Sequence, residues 1–124
     1  MVVGTARLVL AIPGASSLKD KRSVVRRVVD RARARFNAAV AEVDEQDVHR
    51  RAVIGVAVVS SDSRHATSML DTIVASMAAS TDAEIVSRKA SVVRLGEHDF
   101  QDLGPVVGGV DPWDDGDEEG DGER

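Results

Sequence analysis

Cysteine and tyrosine are absent from this chain, and Phe36, Phe100 and Trp113 are its only aromatic residues. Without cysteine there is no disulfide scaffold, no thiolate metal site and no cysteine nucleophile. With so few rings the core has to be built from Val, Ala, Leu and Ile. No apolar run approaches the roughly 20 residues that a bilayer-spanning helix needs. The opening stretch MVVGTARLVLAIPG is apolar, but it lacks a basic leading segment and an Ala-x-Ala cleavage pattern. It reads as a strand and not as a secretory signal. A cytoplasmic protein without membrane association is expected.

Basic residues are equally scarce over the last part of the chain, where residues 95–124 hold one Arg against 11 Asp and Glu. Residues 1–94 hold 15 Lys and Arg against 10 Asp and Glu. The formal net charge of −5 therefore conceals a mildly basic region followed by a strongly acidic one. Such segregation points to a domain with an anionic partner and a separate solvating or regulatory tail. The expected division is a domain over 1–96 and an acidic tail over 97–124. The tail is too rich in Gly, Pro, Asp and Glu to offset the cost of ordering, and disorder is expected there.

Within the domain, residues 2–12 alternate as a first strand, broken by Pro13-Gly14. Ser17 is a natural N-cap with Asp20 three residues on, the spacing of a capping box. From Leu18 the apolar positions Val25, Val28, Val29, Ala32 and Phe36 follow helical spacing and gather within roughly an 80–100° arc. A helix of about 18 residues is predicted, stopped at Asn37. A short strand over 38–43 follows, then an acidic turn over 44–47. The nearly continuous apolar run RAVIGVAVVSS at 51–61 reads as a central strand. Asp62 can cap a second helix carrying Met69, Ile73 and Met77. A final alternating strand runs over 84–94. The order β-α-β-β-α-β with right-handed crossovers gives an α+β ferredoxin-like fold. It is a split βαβ plan with a four-stranded antiparallel sheet, two helices on one face, and strands one and three central.

The passages SLKDKR, RFNAAVAEVDEQD and GVAVVSSDSRH together resemble the YlxP-like family, a bacterial domain of unknown function, number 503 in that series. The resemblance covers roughly residues 1–94. It implies a ferredoxin-like fold and, because members are typically encoded beside translation initiation factor two and a ribosome-binding maturation factor, a role near translation or small-subunit assembly. It assigns no activity, and the acidic tail lies outside it.

The first helix carries the leading functional candidates. Lys19, Arg22, Arg26 and Arg33 fall on one flank of its apolar arc, close enough to track a phosphate backbone, while Lys21, Arg27, Arg31 and Arg35 spread over the other side. Arg in particular offers bidentate phosphate contacts. Arg50 and Arg51, at the start of the third strand, are candidates to extend the patch. The plain alternative is a solvated helix face, partly neutralised by Asp20 and Asp30. The turn from Pro13 to Ser17 precedes a helix N-terminus, which attracts anions, but it carries neither phosphate-binding glycine pattern, so a simple turn and cap is expected.

Sheet-based RNA reading needs rings on the two central strands, where Arg7, Val9, Ala57 and Val59 stand instead. Any RNA contact is therefore expected through backbone charge. Val9, Ala11, Ala57 and Val59 form a candidate apolar patch on the uncovered sheet face, open to a partner or a second copy. Glu42, Asp44, Asp47 and His49 mix metal-ligand types, but they span a strand and a turn and read as a polar connection. Ser60, Asp62 and His65 have the residue types of a triad, yet they cluster around a helix cap and are not expected to converge.

No metal, cofactor, small-molecule substrate or enzymatic activity is expected. The reading is an accessory factor binding rRNA or the small ribosomal subunit through the first helix. The alternative is a protein-interaction module that forms a homodimer through its open sheet face. The acidic tail is a further candidate to fold back on the basic helix, with Trp113 as a weak anchor.

Overall fold

A computed structural model describes residues 1–106 and Gly108. Its elements run β1 (Val2–Ala11), α1 (Leu18–Arg35), β2 (Ala39–Asp44), β3 (Arg51–Ser60), α2 (Ser63–Ala79) and β4 (Glu84–Arg94), with a 3-10 turn at Glu97–Asp99. The four strands form one sheet in the order β2-β3-β1-β4, with every pairing antiparallel. β1 and β3, the two most apolar strands, are central as predicted. The acidic tail is expected over 97–124; its first residues, Glu97–Asp99, form a 3-10 turn where disorder is expected. Residues 100–106 are exposed chain without regular structure, and residues 107 and 109–124 lie outside the described residues.

The alternation of side chains along a strand sorts the sheet into two faces. Val2, Leu8 and Leu10 of β1 and Ala52, Ile54 and Val58 of β3 are buried towards the helices. They meet Val25, Val28, Val29 and Ala32 of α1, and Leu70, Ile73, Val74 and Met77 of α2. Gly4 lets α2 approach closely. A Cβ there would stand 3.1 Å from both Leu70 Cδ1 and Val58 Cγ2.

Capping explains where α1 begins. Ser17 is extended, and its side chain accepts a 3.1 Å hydrogen bond from the Asp20 backbone N–H. The return half of the box differs from expectation by one residue. Asp20 Oδ2 accepts from Ser16 N at 3.0 Å and from Ser16 Oγ at 2.7 Å. These bonds from Ser16, through its hydroxyl first and then its N–H, hold the Asp20 carboxyl below its ordinary 3.8. Because the folded value is the lower one, the stabilisation is complete above 3.8 and is lost as pH falls below it. Asp20→Asn is therefore expected to flatten the loss of stability between neutral pH and pH about 3, measured as urea midpoints against pH; an unchanged slope would remove Asp20 from the acid response.

At its other end α1 departs from the sequence reading. It stops at Arg35, and Phe36 is already extended at φ −124°. Asn37 is not left-handed, since Glu45 is the only residue other than glycine with positive φ among the described residues. The Phe36 side chain packs against the core, and β2 begins three residues on, at Ala39.

Candidate functional site

Eight Lys and Arg lie on α1; Arg27 is exposed on the side of the helix away from Lys19, Arg22 and Arg26, and the fold divides the other seven into three groups. The first faces α2. Arg31 Nη1 donates to the Ser80 carbonyl at the end of that helix, 2.7 Å away, and Arg35 Nη1 reaches Ser76 Oγ at 3.5 Å. The Arg35 guanidinium also lies 5.5 Å from the Phe36 ring centroid. These two cations join the helices, and Arg31 satisfies a carbonyl that α2 leaves without an intrahelical donor.

The second group is a single residue. The sequence places Lys21 with Arg27, Arg31 and Arg35 on the other side of the apolar arc, but it is 1 % exposed. Its position explains the burial, because Lys21, Val25, Val28 and Ala32 lie at helical intervals on the stripe that faces the sheet. Nζ stands 2.8 Å from Glu42 Oε2, donates to the Glu45 carbonyl at 2.8 Å and to the Arg51 carbonyl at 3.3 Å. The Glu42 contact is one of charge, and its angle falls outside hydrogen-bond geometry. Lys21 thus ties α1 to β2 and to both ends of the β2–β3 turn. That turn includes Glu45 in the left-handed region at φ 53°, a conformation that costs an ordinary residue about 1 kcal/mol or more.

The third group comprises the exposed flank. Lys19, Arg22 and Arg26 are exposed, and none enters an ion pair among the described residues. Arg33 shares their side of the helix, but its Nε donates to the Val40 carbonyl at 2.9 Å, which fixes it against β2. The flank therefore runs along the β2 edge of the sheet.

Arg51 does not extend this row. Its Cα pairs with that of Ala11 on the face away from the helices, and its Nη2 lies 3.0 Å from Glu45 Oε2. Arg50 is exposed at the start of β3, where its carbonyl accepts from Ile12 N. The turn before α1 also has a different use from anion binding. The Asp20 carboxylate already occupies the Ser16 N–H.

The face opposite the helices is built in rows by the strand register. Val3 pairs with both Val59 and Val93, Thr5 with Ala57 and Ser91, Arg7 with Gly55 and Lys89, and Val9 with Val53 and Ser87. No ring stands in these rows. The expected apolar patch is narrower than its composition suggested, because Val9 is only 6 % exposed while Val59 is 62 % exposed. Val43 leans over Gly55, where a Cβ would meet Val43 Cγ1 at 2.9 Å.

Glu42 and Asp44 diverge across a shift in register. Glu42 pairs with Ile54 and turns to Lys21, whereas Asp44 pairs with Val53 and lies 3.9 Å from Arg7. Ser60 and His65 do approach each other, with Oγ 3.2 Å from Nδ1, contrary to the expectation from sequence. The extended residues between β3 and α2 bring them together. Asp62 instead caps α2 by accepting from Arg64 N at 3.2 Å, so among the described residues no carboxylate hydrogen-bonds to the imidazole.

The arrangement defines an α+β ferredoxin-like domain with one unneutralised basic flank and an open sheet face free of rings. A family model described as a protein of unknown function, DUF503, matches residues 3–90, and the chain belongs to that family. It is 38 % identical over 60 residues to an uncharacterised protein, YlxP, of Bacillus subtilis strain 168. That match spans 48 % of this chain and 65 % of the YlxP sequence, a little under two thirds of the relative's length. Among solved structures, a de novo designed protein with a ferredoxin fold, determined by solution NMR, superposes with a TM-score of 0.46 at 15 % identity. It covers 83 % of this chain and 93 % of the designed one. Among the described residues no helix is long and apolar enough to cross a membrane.

Proposed function

We propose that this chain is a non-enzymatic accessory factor in translation or ribosome maturation that holds rRNA, on the small subunit or a precursor of it, by its phosphate backbone. The observation that carries this reading is the exposed flank of Lys19, Arg22 and Arg26, none of which enters an ion pair among the described residues. Arg33 stands at the end of this row, held by the Val40 carbonyl with part of its guanidinium still available. Lys and Arg on phosphate position a protein without reading sequence. That suits a sheet whose central strands offer Arg7, Val9, Ala57 and Val59 in place of stacking rings.

Reversing Arg22 and Arg26 to Glu is the test. Both side chains are exposed, so folding is expected to survive, while RNA affinity at low salt falls about tenfold or more and the salt dependence weakens. Sedimentation of the chain with ribosomal subunits through sucrose at low and high salt measures the same property in a native setting. Unchanged association of the reversed variant would overturn the reading.

A second reading rests on the Val59–Val3–Val93 row. Val59 and Val93 are 62 % and 47 % exposed, and such a row suits a protein-interaction module that pairs two copies through the open face. Substituting both with Lys and measuring mass by sedimentation equilibrium separates the two: loss of a dimer with RNA binding intact favours the second.

A further inference from the structure

We infer that the ligand of the α1 flank is double-helical RNA and not a single strand; this rests on the reading that the flank holds RNA. Two observations lead there, the rigidity of the helix that carries the charged row and the absence, among the described residues, of a ring on the flank or the open sheet face on which a loose base would stack.

Lys19, Arg22 and Arg26 follow one another at steps of three and four residues on an 18-residue helix. At 1.5 Å per residue they rise over about 10 Å. The spacing of their Cα atoms is fixed, because Val25, Val28, Val29 and Ala32 of the same helix are buried against the sheet and Arg33 is tied to β2 at 2.9 Å. A fixed row of cations favours a ligand whose phosphates are themselves held at regular spacing. A flexible strand has to be ordered before it matches the row, and that ordering subtracts from affinity.

Proteins that hold single strands recover this cost by stacking bases on aromatic side chains, worth about 1–3 kcal/mol per base. Among the described residues no such ring lies on the flank or on the open sheet face; Phe100, 53 % exposed, follows β4, the strand at the opposite edge of the sheet from β2. Ser23, Asp30 and Ala34 lie beside the flank on the helix surface, and Phe36 is partly buried with the Arg35 guanidinium over its ring. The open sheet face offers Val3, Thr5, Arg7 and Val9 along its centre. Duplex RNA, by contrast, is held mainly through shape and backbone contacts, which require no ring.

The surroundings also suit a phosphate backbone. Glu42, the acidic residue of β2 that turns to the helix side, is neutralised by Lys21 at 2.8 Å. Asp20 is turned back to Ser16. Among the described residues Asp30 on the helix surface and Asp20, whose carboxylate feels the Lys19 charge, add negative charge near the row, which limits the contact to a few phosphates.

The test uses the full chain and fluorescence anisotropy with a labelled RNA duplex of about 16 base pairs, and with each of its strands alone, chosen to lack self-complementarity. The duplex is expected to bind at least tenfold more tightly than either strand. With three phosphate contacts its affinity is expected to fall about 40-fold between about 50 and 200 mM salt. The R22E/R26E variant, checked for folding by circular dichroism, is expected to lose most of that binding. If either strand binds as tightly as the duplex and the variant binds neither, the inference is overturned while RNA binding at this flank stands. Absence of any binding at low salt, or duplex binding that the variant retains in full, overturns both.

Discussion

Replacing Lys21 with Ala is expected to lower the free energy of unfolding by about 3–5 kcal/mol, the range for breaking one partner out of a buried ion pair. The substitution leaves Glu42 without its cation and withdraws a donor from the Glu45 and Arg51 carbonyls. Because the Glu42 side chain keeps 18 % of its exposure, water relieves part of the loss, and a value near 3 kcal/mol is expected. The double variant Lys21→Met with Glu42→Leu separates charge from packing. Both positions lie on the helix–sheet interface, and removing the two charges together is expected to restore much of the stability. Urea unfolding of the two variants beside the parent chain measures this. A cost below about 1 kcal/mol for Lys21→Ala, the scale of an exposed pair, would show that the burial contributes little.

Leu8→Ala is expected to cost about 3 kcal/mol, within the 2–5 kcal/mol range for large-to-small changes in close-packed cores. Leu8 is fully buried on a central strand, paired in register with Ile54, which is also fully buried. Both face the layer where α1 and α2 meet the sheet, so neither neighbour can collapse freely into the space left behind. The contrasting substitution is Val59→Ala on the opposite face of β3. Val59 is 62 % exposed, and its truncation is expected to change stability by no more than about 0.5 kcal/mol. Urea midpoints with an unchanged slope read both effects. Equal costs at the two positions would contradict the assignment of the core to one face of the sheet.

The parts of the fold legible in the sequence were those with strong periodicity. Val25, Val28, Val29 and Ala32 mark one helix face, and the 51–60 run marks a central strand; from these the order of elements and the central pair of strands follow. The continuous apolar character of that run suggested burial on both faces, whereas Val59 and its face remain open. Ser17 and Asp62 were readable as caps because a short polar side chain before an apolar helical repeat has few other uses. The details that escaped depend on tertiary partners. Lys21 has the spacing of the buried stripe, but a lysine is read as solvated unless its acceptors are known, and Glu42, Glu45 and Arg51 lie 21 or more residues away in the chain.

The basic flank itself was legible from helical spacing. How many of its members remain free was not, because the Arg33 bond to Val40 and the Arg51 pairing with Glu45 depend on where β2 and the β2–β3 turn come to rest. The approach of Ser60 to His65 was missed for a similar reason: residues between a strand and a helix cap take their geometry from both elements.

The placement of β1 between β3 and β4 bears on how the chain matures as it is synthesised. β1 emerges first, yet its partner along one edge begins only at Arg51 and along the other only at Glu84. Until residue 94 has been made, one backbone edge of this apolar central strand has no partner, and the row of donors and acceptors from Val2 to Ala11 is open to pairing with another nascent chain. Most sheet contacts are consequently distant in sequence, an arrangement that delays closure relative to helical domains of similar size. A truncation before β4 removes more than an edge strand, because it leaves the centre of the sheet as its border.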